Sequence, residues 1–123
     1  MEKTRVLIID DDKVLQDLLA LYLKVEGFEV LKAADGRDGL QRLRDERVDL
    51  VLLDLMMPAM DGMAFVRALK ERESPPRVLV LSAAGFGLID RDLRAAGVRG
   101  VVRKPVAPAD LVRHVRDALA GAV

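Results

Sequence analysis

The 123-residue chain has no cysteine and no tryptophan, and His114 is its one histidine. Disulfides and thiolate metal sites are excluded, and a lone imidazole cannot build a zinc site. No apolar run approaches the ~20 residues that span a bilayer. The segment Met1-Glu2-Lys3-Thr4-Arg5 leads directly into a strand-like run rather than an apolar leader, so neither export nor a membrane anchor is indicated and a cytoplasmic location is expected. Excess charge is also lacking. Lys plus Arg and Asp plus Glu number 20 each, which gives no global reason to expect direct nucleic-acid binding. No internal repeat, linker or low-complexity stretch interrupts the pattern.

Apolar residues make up 51% of the chain, enough for a core, and the length suits a single domain over residues 1–123. The charge is unevenly spread: residues 1–62 carry 9 basic and 14 acidic side chains, and residues 63–123 carry 11 and 6. The acidic half holds the candidate site, and the basic half reads first as solvated helix surface.

Strand-type runs alternate with helix-type patterns, the mark of an α/β domain whose parallel sheet is covered on both faces. Five strands are expected: Arg5 to Asp10, Glu29 to Ala33, Asp49 to Asp54, Arg77 to Ser82 and Gly100 to Arg103, with the very apolar third at the centre. The first helix is expected to turn Val14, Leu15, Leu18, Leu19, Tyr22 and Val25 inward, to be capped by Asp12 and to stop at Gly27. A second, short and weakly amphipathic, runs from about Arg37 to Glu46 with Leu40 and Leu43 inward. A third opens at Asp61-Gly62 and buries Phe65, Val66 and Leu69. An exposed fourth lies around Ile89 to Ala96, closed by Gly97. The last begins at Pro108, uses Leu111, Val115 and Leu119, and has a poor cap in Ala107.

Polar residues end these strands. Asp10 and Asp11 follow the first, Asp54 ends the third, Ser82 the fourth, and Lys104 follows the fifth. Open α/β sheets bind ligands outside the carboxyl ends of their strands, where the winding reverses. Three carboxylates there repel one another unless a cation sits among them, and Mg²⁺ suits a site made of oxygen donors without His or Cys. Asp11 and Asp54 are the expected direct ligands, Asp10 acts through water or by charge, and the backbone carbonyl of Met56 is a third protein ligand. Lys104 places a point charge on a phosphoryl oxygen, the Ser82 hydroxyl donates to another, and Asp54 is the nucleophile.

At these residues the chain resembles the receiver domain of two-component response regulators. The matching motifs are Val6-Leu7-Ile8-Ile9-Asp10-Asp11-Asp12, Asp49 to Pro58 with Asp61-Gly62, Leu81-Ser82-Ala83 and Lys104-Pro105, which together cover essentially the whole length. The resemblance implies a doubly wound, flavodoxin-like parallel sheet of order 2-1-3-4-5 with helices on both faces. It implies Mg²⁺-dependent phosphorylation of Asp54 by a sensor histidine kinase or a histidine phosphotransfer protein, a conformational signal to a downstream protein or effector domain, and a cis Lys104–Pro105 bond. It also leaves room for a weak homodimer. Where the family has an aromatic three residues before its lysine, this chain has Val101, and Val106 follows Pro105 where Phe is common. Arg99-Gly100 replaces the acidic pair of winged-helix regulators, which argues against their salt-bridged dimer. With no aromatic at Val101, the readout is expected from Phe86 in the Ala83–Gly87 loop, between Gly85 and Gly87.

An aspartyl-nucleophile phosphohydrolase would need a second Asp two residues after the first, where Met56 stands. A receiver-like binding module would lack Asp11, Asp54 or Lys104, and all three are present. The chain is therefore expected to catalyse only its own phosphorylation and dephosphorylation. His114 reads as a surface or boundary residue, and Met56, Met57, Met60 and Met63 as loop packing.

Overall fold

The computed structural model describes residues 3–54, 59–72, 75–82, 97–103 and 105–120, with backbone alone at 59–63, 70 and 82. Five strands, β1 (Arg5–Ile9), β2 (Glu29–Ala33), β3 (Leu50–Asp54), β4 (Arg77–Ser82) and β5 (Val98–Arg103), form one parallel sheet of order β2-β1-β3-β4-β5. Four helices are described: α1 (Lys13–Val25), α2 (Gly36–Asp45), α3 (Ala59–Lys70) and α4 (Pro108–Leu119). The expected helix at Ile89 to Ala96 lies outside the described residues.

Successive strand residues point to opposite faces, and the core divides accordingly. Leu7, Ile9, Val51, Leu53 and Val80 pack with α2 and α3 through Leu43, Phe65 and Leu69. Val6, Ile8, Leu50, Leu52 and Leu81 pack with α1 and α4 through Leu19, Leu23, Leu111 and Val115. Both faces of β3 are buried, as its unbroken apolar run requires.

Asp12 caps α1 by accepting a hydrogen bond from the Leu15 N–H at 3.1 Å. The helix closes as expected at Gly27, whose φ of +96° suits glycine. There the Phe28 N–H donates to the Leu23 carbonyl and the Gly27 N–H to the Lys24 carbonyl, both at 3.0 Å, so two end carbonyls are satisfied.

The inward face of α1 is the expected one only in part: Leu15 and Leu19 turn in, whereas Val14, Leu18, Tyr22 and Val25 do not. Leu15 is partly buried, and Gln16, Leu19, Ala20 and Leu23 are buried, while Val14, Leu18, Leu21, Tyr22 and Val25 are exposed. The helix carries two apolar rows, and spacing alone does not choose between them. On the row that turns inward, Gln16 donates to the Ile8 and Ala33 carbonyls beside the buried Leu19, Ala20 and Leu23.

Smaller differences have local causes. The helix α2 starts one residue earlier than expected because Asp35, accepting from the Asp38 N–H at 2.8 Å, caps it. Its inner face is glycine as much as leucine: a Cβ on Gly39 would stand 2.5 Å from Ile9 Cδ1, so the helix lies close to the sheet. The helix α3 begins at Ala59, two residues before Asp61. β5 begins at Val98 because an irregularity lets Val98 pair with Val78 and Gly100 with Leu79, skipping Arg99.

Candidate functional site

The chain winds one way from β1 to β2 and the other way from β3 to β5, so the switch falls between β1 and β3. Asp10 follows β1 and Asp54 ends β3, on either side of that point. Along β3, Asp54 continues the row of Leu50 and Leu52 that faces α1 and α4. Asp10 and Asp54 are each only 2% exposed, Asp11 is exposed at the rim, and one carboxylate oxygen of each lies within 4.8 Å of the others.

Hydrogen bonds hold this corner. The Asp12 N–H donates to Asp10 Oδ1 at 2.9 Å, and the Asp10 N–H donates to the Ala33 carbonyl at 3.1 Å. Gln16, 6% exposed, donates through Nε2 to the carbonyls of Ile8 and Ala33, each at 2.9 Å. One amide thus ties α1 to β1 at Ile8 and to the end of β2 at Ala33, whose carbonyl also accepts from the Asp10 N–H. Sequence reading passed over this residue. Its only signal is a polar side chain on a row that continues as Leu19, Ala20 and Leu23.

Three carboxylates so close, two of them withdrawn from water, concentrate negative charge that a hard cation neutralises. An all-oxygen donor set fits Mg²⁺. The structure thus brings Asp10, Asp11 and Asp54 together as expected. Ser82 is the last residue of β4 and pairs in register with Arg103, which places it on the same sheet edge. Met56, Lys104, the Lys104–Pro105 bond and the Ala83–Gly87 loop with Phe86 lie outside the described residues. Val101 is partly buried, pairs with Val80 and packs against the α2 and α3 side of the core.

The 2-1-3-4-5 sheet with an acidic cluster at its switch point is what the resemblance to receiver domains implies, and comparison with known proteins agrees. A profile of the response regulator receiver domain matches residues 6–116, and the chain belongs to that family. It is 37% identical over 118 residues to the DNA-binding response regulator MtrA of Mycolicibacterium smegmatis, covering 95% of this chain and 51% of MtrA. It is 35% identical to the transcriptional regulatory protein CseB of Streptomyces coelicolor, covering 96% and 50%. The chain thus spans about half the length of these curated relatives. Among solved structures, a CheY-like receiver domain protein of Methanospirillum hungatei superposes with a TM-score of 0.86 at 27% identity, over 98% of this chain and 96% of that one. The chemotaxis protein CheY4 of Vibrio cholerae superposes with 0.83 at 28%, over 95% and 99%. Among the described residues no helix is long and apolar enough to cross a membrane.

Proposed function

We propose that this receiver domain is a phosphoacceptor switch in which Asp54 takes a phosphoryl group from a phosphohistidine of a sensor kinase or histidine phosphotransfer protein. The observation that carries this reading is the convergence of Asp10, Asp11 and Asp54 at the winding switch. Asp54 is the nucleophile: its carboxylate oxygen attacks phosphorus as the phosphorus–nitrogen bond to the donor breaks, and the donor imidazole leaves with that electron pair. Asp11 and Asp54 would hold Mg²⁺, with the Met56 carbonyl, and Asp10 contributes charge from behind. When bound, the ion screens the carboxylates and the incoming phosphoryl oxygens. Ser82 and Lys104, which the sequence places at or just beyond strand ends on this edge, supply a donor and a positive charge to those oxygens.

The chain acts only on its own Asp54, in the cytoplasm where a kinase domain would meet it. It signals to a downstream protein or to a further domain of the kind its longer relatives have room for. Incubation with acetyl phosphate and Mg²⁺ should add one phosphate mass to the wild-type chain and none to Asp54→Asn. An equal increment in both would remove Asp54 from this role.

A further inference from the structure

A surface helix normally shows one apolar stripe, facing the core. The helix α1 shows two. Every large exposed hydrophobic side chain among the described residues lies on its outer side: Val14 (79% exposed), Leu18, Leu21, Tyr22 and Val25 (74%). With 100° between residues, Val14, Leu18, Leu21 and Val25 fall within about 60° of one another, opposite Gln16 and Leu23. Their spacing of four, three and four is that of a helix-packing seam, so the shape they fit is another helix.

The seam is also palindromic. Read in either direction it runs Val, Leu, Leu, Val at the same spacings. An antiparallel second copy therefore sets Val14 against Val25 and Leu18 against Leu21, twice over, as a two-fold interface requires. The flanks obey the same symmetry. On one flank Asp17 meets Lys24 of the second copy, and on the other Leu15 meets Tyr22. Asp17 already holds Lys32 at 2.5 Å, and a carboxylate has capacity for a second cation. We propose that this outer face of α1 is the contact surface for a second copy of this chain, packed antiparallel across a two-fold axis. Pairing two such faces removes on the order of 1,000 Å² from water, the low end for specific interfaces, so the dimer is weak and concentration-dependent.

Sedimentation equilibrium on the unphosphorylated chain tests this, and Asp54→Asn should behave alike, which separates the result from any failure of phosphotransfer. The mass should climb from 13.5 kDa toward twice that value between micromolar and millimolar concentration. Leu21→Glu, at an exposed position, should keep the same circular dichroism and stay monomeric throughout. Asp17→Lys should weaken the dimer about tenfold, and combining it with Lys24→Asp should restore it, since the pair is reciprocal. A wild-type chain that stays monomeric, a Leu21→Glu chain that associates normally, or a double swap that restores nothing overturns the proposal. So does a monomeric wild type whose Leu21→Glu variant loses phosphoryl transfer from a histidine kinase but keeps it from acetyl phosphate, which would assign the face to the donor's helix.

Discussion

The strand β3 has an aspartate at each end, and the two are treated in opposite ways. Asp49, just before the amino end, accepts hydrogen bonds from the Arg5 backbone N–H at 2.8 Å and from the Arg47 guanidinium, which itself donates to the Lys3 carbonyl. Asp54, at the carboxyl end, is gathered with Asp10 and Asp11. Only the buried run Leu50 to Leu53 separates them. At the amino end the chain supplies positive charge together with the carboxylate. At the carboxyl end it brings three carboxyl groups within 4.8 Å of one another, an all-oxygen set that a hard cation suits. The first arrangement fixes the entry to β3, and the second supplies the donor set that the proposed phosphoacceptor role of Asp54 needs.

The largest test of that contrast is Mg²⁺ itself. An ion that binds only the folded chain raises stability by mass action, about 2.7 kcal/mol at a hundred times its dissociation constant. Wild type should therefore melt higher as Mg²⁺ is added, and Asp11→Ala should lose most of that rise. Asp49→Ala, at the other end of β3, should keep it in full. A rise in Asp11→Ala as large as in wild type, or its loss in Asp49→Ala, breaks the contrast.

A smaller effect is expected at Gln16, which belongs to the acidic end without carrying charge. Met has nearly the same volume and no donors, so Gln16→Met leaves the Ile8 and Ala33 carbonyls short of one hydrogen bond each. Urea unfolding should show a loss of about 1–3 kcal/mol. Because Ala33 also anchors the Asp10 N–H, Mg²⁺ should bind the variant severalfold more weakly. An equally destabilising cut far from the acids, Leu69→Val, should leave Mg²⁺ affinity unchanged. If the two variants bind Mg²⁺ alike, Gln16 serves the fold alone.

These residues also mark where the sequence is legible. Asp10, Asp11 and Asp54 could be placed because unbroken apolar runs locate strand ends, and parallel strands bring those ends to one edge. The same reasoning puts Ser82 on that edge. The orientation of α1 could be read only in part, because two apolar rows satisfy the same periodicity and the partners of the inner one lie on strands distant in sequence. The skipped Arg99 in β5 was equally hidden. It follows from the register between β4 and β5 and from Gly97, where φ of +100° and a Val78 N–H to Gly97 carbonyl bond of 2.8 Å set the entry. Local pattern yields element type and strand ends, while facing and register are settled by partners far along the chain.

The smallest expected effect is at Asp49 and depends on pH. Burial by itself pushes this carboxyl up, but the hydrogen bonds from the Arg5 N–H and Arg47, with the positive charge of both side chains, outweigh it and hold the group below its ordinary value of 3.8. A carboxyl whose pKa falls on folding adds stability that is fully present above the unfolded value and is lost as pH drops through the folded one. The pair with Arg47 is partly solvent-exposed, so the contribution is modest. At pH 7 Asp49→Asn should be less stable than wild type by up to about 1 kcal/mol, because the amide keeps an oxygen for the Arg5 N–H but loses the charge that Arg47 meets. Below pH 3.8 the gap should close as the wild-type carboxyl takes up its proton. Urea unfolding of both proteins across the acid range checks this. A gap of constant size at every pH would assign the effect to amide geometry, and the charge at the amino end of β3 would then not be what holds that end.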